Sequence, residues 1–305
     1  KKNFFTFGEV LDDRPEEDIA RFIGRSTSDG NEAVGVDAAL DYPLFNILKP
    51  VAKGLAAPSV LVDMFHKRKE IEKNILSSHG DATRFFVTFL DNHDMKERIR
   101  FEQPGASHRF DDQVTLGLAS LFALPGIPCV YYGTEQALHG AGSDPAVREA
   151  LWNNGGPGGP GFNTGATYYQ AIAKITAVRN SRPSMRYGRF YFRPVSGDGI
   201  NFGISPFNAG VLAFSRILND EETIVVANTS ASANQSLDVI VDTELSKPGD
   251  QYHLLYSNQA TPTVPGAARL TGQVTVHETD GSIGTGPLHV VRVILKPMEV
   301  QILSR

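Results

Sequence analysis

Apolar residues in the first half of the chain fall into short runs, each followed by a stretch in which they recur at helical spacing. Residues 4–7 (Phe4, Phe5, Thr6, Phe7) predict a strand. In the next stretch, 11–19, Asp13 stands where a cap is needed, Pro15 can open a short helix, and acids fill its first turn. A second short strand is expected over 34–38 and a helix over 42–48. Between 59 and 76, Val60, Val62, Phe65 and Ile71 keep to helical spacing. The run from Phe85 to Leu90, opened by Arg84, reads as a strand buried on both faces. A helix over 113–124, capped by Asp111 or Asp112 and ended by Pro125 and Gly126, leads into a strand over 127–132. Strand, helix, strand in this rhythm is the βα repeat of a parallel barrel. A long excursion over 133–165, with a Gly/Pro tract at 155–161, leaves the end of that last strand. Loops of this length without structure are usually functional or mobile. A helix over 168–180 would close the barrel.

From about Met185 the texture changes. Alternating runs at 211–216, 223–228, 288–295 and 300–303 are separated by Asn, Asp and Gly turns, which predicts an all-β antiparallel sandwich. The expected division is therefore 1–184 and 185–305. A length of 305 residues allows one large domain or a domain with a smaller companion, and 41 % hydrophobic with 21 % charged residues is ordinary for a soluble globular chain. No apolar run reaches the eighteen residues that would suggest a membrane span. Net charge is −5 with no basic cluster, which argues against nucleic acid and membrane partners. The single cysteine, Cys129, excludes an intrachain disulfide and is expected as a small buried hydrophobe in the last strand; it leaves the compartment undecided. The sequons at Asn228 and Asn234 are short enough to arise by chance. A parallel strand needs neighbours on both sides, and a half barrel would leave an open apolar edge. The expectation is that these residues form the later part of a longer polypeptide.

The densest chemistry lies at 89–94, Phe89, Leu90, Asp91, Asn92, His93 and Asp94. Polar, carboxylate-bearing residues at the C-terminal end of a buried parallel strand sit where α/β barrels build active sites. Such groups are costly to desolvate without partners. Taken alone, they fit a solvated loop with a helix cap equally well. Their context adds more. The string FLDNHD resembles the fourth sequence region of the α-amylase family of glycoside hydrolases. The stretch 126–135 (Gly126, Ile127, Pro128, Cys129, Val130, Tyr131, Tyr132, Gly133, Thr134, Glu135) resembles that family's last barrel strand and following turn. The segment 4–10, with Gly8, Glu9 and Val10, resembles the region carrying its catalytic acid. The three matches stand in the family's order, each at the end of an expected strand.

The resemblance implies an α/β fold, the second half of a (β/α)8 TIM barrel over 1–184, followed by an all-β antiparallel sandwich over 185–305. It implies part of a retaining enzyme acting on α-glucosidic bonds in starch, maltooligosaccharides or related α-glucosides. An α-glucanotransferase using the same covalent intermediate and a non-catalytic carbohydrate-binding relative are the alternatives. Breaking a glycosidic bond takes a proton for the leaving oxygen and negative charge beside an oxocarbenium-like centre. Glu9 is the expected acid, kept neutral by partial desolvation beside Phe and Val residues. Asp94 matches the family's third carboxylate, which binds sugar hydroxyls more strongly as charge develops. His93, Asn92 and Tyr132 are the candidate substrate contacts, and Asn92 with Asp91 is also expected to shape the turn. Glu135 could line the cleft and Asp37 could face it. Arg148 and Trp152 could support and form a sugar platform, or simply pin the excursion to the barrel.

One absence matters. The family's nucleophile is an aspartate on an earlier strand, and no stretch of this sequence resembles that region. A double displacement needs that carboxylate, so these residues alone are expected to be inactive, with the missing first half of the barrel as a required partner. No metal held wholly by this chain is expected, because the pairs Asp12-Asp13 and Asp111-Asp112 lack calcium-loop spacing. The resemblance leaves calcium open through an upstream part. It leans toward an extracellular or periplasmic setting, and linkage and chain-length preference stay open.

Overall fold

The computed structural model describes residues 4–10, 16–23, 27–72, 82–100, 110–152 and 162–305. The expected cap and opening at Asp13 and Pro15, the pair Asp12-Asp13 and the tract 155–161 lie outside the described residues. In chain order, the first part contains β1 (Phe7–Gly8), α1 (Glu16–Ala20), β2 (Thr27–Asp29), β3 (Glu32–Val34), β4 (Ala38–Leu40), α2 (Tyr42–Ala52), α3 (Ser59–Glu72), β5 (Phe86–Thr88), α4 (Phe110–Ala123) and β6 (Ile127–Pro128). Strands β1, β4, β5 and β6 form one sheet in that order, every pair parallel. Parallel neighbours need a crossover, and α2 with α3 and then α4 supply it. All four strands therefore run the same way, and Glu9, Asp41, Asp91 and Tyr131 follow the ends of successive strands on one edge.

The strands are shorter than the pattern suggests, and two are displaced. The run 34–38 is not one strand: Val34 pairs with Thr27 in the β2–β3 hairpin, and the parallel strand is Ala38–Leu40. Gly35, at φ +122°, breaks the run. Asp37, a candidate to face the cleft, accepts bonds from the Thr6 amide at 2.7 Å and the Thr6 hydroxyl at 3.0 Å, tying β1 to its neighbour. At the start, β1 is Phe7–Gly8 rather than 4–7, and Phe4 is 81 % exposed. An edge strand paired only with β4 has nothing on its other side, among the described residues, to bury those rings. The expected strand 127–132 is reduced to Ile127–Pro128, and the Cys129 amide makes one further bond to the Thr88 carbonyl, at 2.8 Å. Cys129 lies just beyond the strand, half-buried rather than in the core, and burial pushes its thiol up. By contrast β5 is buried throughout, as are Phe89 and Leu90 after it.

Helix α4 begins at Phe110, so Asp111 and Asp112 sit in its first turn rather than capping it, still on the favourable end of the helix dipole. Gly126 then turns the chain at φ +114°; a Cβ there would come within 2.6 Å of the Thr88 methyl and 2.9 Å of the Phe86 carbonyl. Only glycine lets β6 approach β5 so closely.

The rest comprises α5 (Thr167–Ser181), α6 (Pro183–Tyr187), β7 (Arg189–Phe192), β8 (Val195–Ser196), β9 (Asn201–Phe202), β10 (Val211–Leu218), β11 (Glu221–Asn228), β12 (Gln235–Ile240), β13 (His253–Ser257), β14 (Arg269–Leu270), β15 (Val274–His277), β16 (Ile283–Gly286), β17 (His289–Leu295) and β18 (Val300–Ser304). These strands make a five-stranded sheet, β13-β18-β11-β10-β7, a four-stranded sheet, β14-β17-β12-β8, and a three-stranded sheet, β16-β15-β9. Pairing is antiparallel except between β9 and β15. On one face of the five-stranded sheet Val211, Ala213, Ile224 and Val226 pack with Leu237, Val239, Val291 and Val293 of the next sheet. On the other face Leu212, Phe214, Val225 and Ala227 join the core that contains Leu44, Leu116 and Ile175 of α2, α4 and α5. Two buried faces explain why β10 and β11 are near-continuous apolar runs rather than alternating ones. Asn228 is buried in this layer, its amide bonded to the carbonyls of Ala233 and Lys296, so that sequon residue has a structural duty.

Candidate active site

The loop after β5 is built by its first two polar residues. Asp91 is buried and accepts from the Ile99 amide at 2.5 Å and the Thr134 hydroxyl at 2.8 Å, bracing the β5 loop against the β6 loop. Burial pushes its carboxyl above the usual range, with the Lys49 ammonium of α2 as the main opposing influence. Asn92 is also buried. Its carbonyl accepts the Asp94 amide at 2.9 Å, and its amide nitrogen donates to the Tyr42 hydroxyl at 2.8 Å. With their backbone held, His93 and Asp94 project outward. His93 Nε2 lies 3.2 Å from Asp94 Oδ2, and both side chains are about half exposed.

Glu9 follows β1 and is exposed, so the apolar enclosure expected around it is not there. It meets the Tyr42 hydroxyl, which donates to Oε1. Tyr42 is the first residue of α2. Its ring stands edge-on to Phe89 at 5.2 Å and to Phe45 at 6.2 Å, and those two rings stack at 4.9 Å. Burial, with the Glu9 bond second, pushes the Tyr42 hydroxyl pKa well above its ordinary value. The preceding residue, Asp41, caps α2 by accepting the Leu44 amide at 3.1 Å. Its carboxylate is also gripped by both Nη atoms of Arg68, at 2.9 and 2.6 Å. Arg68 is buried over the Phe86 ring and also bonds Glu16, so α1, α2 and α3 meet at one guanidinium.

The excursion after β6 is ordered over its described part, with 3-10 turns at Thr134–Gln136 and Asp144–Val147. Arg98 is buried and holds it: Nε bonds Glu149 at 2.6 Å, Nη1 bonds the Tyr132 carbonyl at 2.9 Å, and the guanidinium lies 4.6 Å over the Tyr131 ring. Glu149 in turn accepts the Gly140 amide at 2.7 Å. This fold-back delivers Arg148 to the β5 loop. Its Nη2 pairs with Asp94 at 2.7 Å and its Nε donates to the His93 carbonyl at 2.9 Å. Glu135 accepts the Gly133 amide at 2.8 Å and so shapes the turn. Tyr132 is 39 % exposed beside these groups, and Trp152 is 77 % exposed at the end of the described segment.

The structure thus gathers Glu9, Asn92 and Tyr42 on one set of bonds and His93, Asp94 and Arg148 on another, with the Asn92–Asp94 contact joining the two. Sequence reasoning missed Tyr42, Arg98 and Lys49. A weak signal existed for Tyr42, since an Asp cap followed by Tyr and Pro at a strand's C-terminal end marks a helix opening beside the site. An exposed carboxyl with a fixed hydroxyl donor, linked through Tyr42 and Asn92 to the loop whose second carboxylate pairs with arginine and lies beside histidine, can supply a proton and negative charge. Among the described residues, no group of three or more His, Cys, Asp or Glu side chains converges as a metal site. A cavity of about 780 Å³ lies between the start of α3 and β8–β10, and none of these groups lines it.

Comparison with known proteins gives this geometry a family. No protein-family model matches the chain. A cyclomaltodextrin glucanotransferase of Bacillus sp. (strain 17-1) is 35 % identical over 158 residues, covering 50 % of this chain and 20 % of that protein. An α-amylase of Niallia circulans is 34 % identical over 160 residues, 51 % of this chain and 27 % of the relative. A cyclomaltodextrin glucanotransferase of Bacillus licheniformis is 32 % identical over 218 residues, 70 % of this chain and 27 % of the relative. Among solved structures, an Anoxybacillus α-amylase superposes with a TM-score of 0.61 at 23 % identity, over 98 % of this chain and 52 % of its own. The α-amylase from H. orenii gives 0.62 at 18 %, over 100 % of this chain and 54 % of its own. At these identities the structures establish the fold, and the chain spans about half their length. The curated matches cover about a quarter or less of the relatives' length. Motifs, fold and curated relatives together make the α-amylase family of glycoside hydrolases the family this chain resembles.

Proposed function

We propose that this chain supplies the proton donor and a transition-state carboxylate of a retaining enzyme that hydrolyses α-glucosidic bonds in starch, maltooligosaccharides or related α-glucosides. The reading takes residues 1–184 as the later half of a (β/α)8 barrel and 185–305 as its companion β-sandwich. The observation that carries it is the placement of Glu9 and the Asp91–Asp94 loop at the C-terminal ends of strands in one parallel sheet, linked through the Tyr42 hydroxyl. Glu9 gives its proton to the glycosidic oxygen as the anomeric C–O bond breaks and its electron pair moves to that oxygen. Asp94 bonds sugar hydroxyls and strengthens those bonds as positive charge develops at the anomeric carbon. His93, Asn92 and Tyr132 contact or frame the sugar. In that first step the carboxylate of the family's upstream aspartate bonds to the anomeric carbon. Water then attacks that carbon, the bond to the aspartate breaks with its electron pair returning to the carboxylate, and the water's proton passes to Glu9.

The family's nucleophile is an aspartate that none of these residues is assigned to replace, so the 305 residues alone are proposed to be inactive. Curated relatives named as cyclomaltodextrin glucanotransferases support a second reading, in which a sugar hydroxyl intercepts in place of water. Product analysis of the complete protein on maltooligosaccharides, with and without an added sugar acceptor, separates the two. In the same assay Glu9→Gln should lower kcat by about three orders of magnitude or more. Wild-type turnover in that variant, or turnover by the isolated 305 residues, overturns the assignment.

A further inference from the structure

We propose that Tyr42 is a positioning residue for Glu9, fixing which carboxyl oxygen carries the catalytic proton; the inference rests on the reading of Glu9 as the proton donor. An exposed glutamate after a two-residue edge strand has several rotamers open to it, and ordering it against that freedom takes a fixed partner. Among the described residues the Tyr42 hydroxyl is the hydrogen-bond partner of the Glu9 side chain.

Tyr42 is itself over-determined. Its ring is set by Phe45 and Phe89, and its backbone opens a helix whose cap, Asp41, is clamped by Arg68. The Asn92 amide donates to the hydroxyl oxygen, which leaves the hydroxyl hydrogen directed at Glu9. Donation to Oε1 suits that atom as the carbonyl oxygen of a protonated carboxyl, leaving the proton on Oε2. At its other end Asn92 accepts the Asp94 amide at 2.9 Å. One relay, Asp94 backbone to Asn92 to Tyr42 to Glu9, therefore sets the proton donor against the loop that bears the second carboxylate.

The test compares Tyr42→Phe with wild type in the complete protein on two substrates. A maltooligosaccharide releases a sugar oxygen that must be protonated; 2,4-dinitrophenyl α-maltoside releases a phenolate that leaves without a proton. Phenylalanine keeps the ring packing, and an unchanged melting temperature checks the fold. Loss of one hydrogen bond to a group active in proton transfer should lower kcat/KM on the oligosaccharide about tenfold, through kcat rather than KM. On the aryl glycoside the loss should be about twofold or less. Glu9→Gln should show the same split, larger. An equal loss on both substrates, a loss confined to KM, or none at all overturns the role of Tyr42 while leaving Glu9 in place. A wild type inactive on both substrates, or a Glu9→Gln variant without the split, removes the assignment of Glu9 and this inference with it.

Discussion

Replacing Arg68 with methionine should destabilise the protein by about 3–5 kcal/mol at neutral pH, the range for stripping one partner from a buried ion pair. Surface pairs contribute roughly 0–1 kcal/mol, so burial decides which figure applies. The Arg68 side chain is 1 % exposed, Asp41 0 % and Glu16 5 %. Methionine nearly fills the volume, so packing loss is secondary; what remains is two carboxyl groups with no counter-charge where water does not reach. The pH dependence makes this specific. Burial already pushes the Glu16 carboxyl up, with the Arg68 charge as the main opposing pull, and removing Arg68 lifts it further. A carboxyl whose folded pKa lies above its unfolded value of about 4.3 binds protons more tightly in the folded state. Stability then falls as pH rises through that window. The deficit of Arg68→Met should accordingly be largest near pH 7 and shrink toward pH 4.5. Urea denaturation at the two pH values reads it directly. Neutralising the trio, with Asp41→Asn and Glu16→Gln added, should recover most of the loss. A loss under about 1 kcal/mol at pH 7, or one equal at both pH values, refutes the reasoning.

Three further outcomes are expected. Arg148→Ala breaks a half-exposed pair with Asp94, so it should change stability by no more than about 0.5 kcal/mol while lowering kcat/KM on maltooligosaccharides roughly three- to tenfold. Gly126→Ala forces a Cβ into the Thr88 methyl at positive φ, and its thermal melt should report more than about 1 kcal/mol of destabilisation. Arg98→Met removes the grip on Glu149 and the Tyr132 carbonyl, at a loss of about 2–3 kcal/mol because Glu149 is only partly buried. Limited proteolysis should then cut within 133–149 faster than in wild type.

Much of the fold was legible because burial demands follow topology. The run through Phe86, Val87 and Thr88 had to be a doubly covered strand, and α4 declared its C-terminal end through Pro125-Gly126. The failures cluster where a tertiary neighbour decides. Val34 went to a local hairpin with Thr27 because Gly35 turns the chain, and Asp37 is recruited by Thr6, which is distant in sequence. Phe4 and Phe5 read as buried because they are apolar, yet residue type cannot say whether a strand's second neighbour is present. In β10 and β11 the reverse holds: alternation fades because the helices cover the face that a lone sandwich would show to water.

The site divides in the same way. The residues proposed to carry the chemistry, Glu9, His93 and Asp94, stand out in sequence because the strings that hold them resemble family motifs at the ends of expected strands. Residues that aim them do not. Tyr42 looks like an ordinary aromatic at a helix start, and Arg68 like one cation in a surface run of His66, Lys67, Arg68 and Lys69. Their roles exist only through contacts spanning 27 to 52 residues, Arg68 to Asp41, Tyr42 to Glu9, Asn92 to Tyr42, and Arg68 to Glu16. A motif can therefore survive intact in a chain whose aiming residues have changed, and the string around Asp94 would read the same. On the proposed reading, the tie between this chain's carboxyl groups and chemistry is the chain of contacts in which a buried guanidinium fixes Asp41, Asp41 starts the helix, and the first side chain of that helix reaches Glu9.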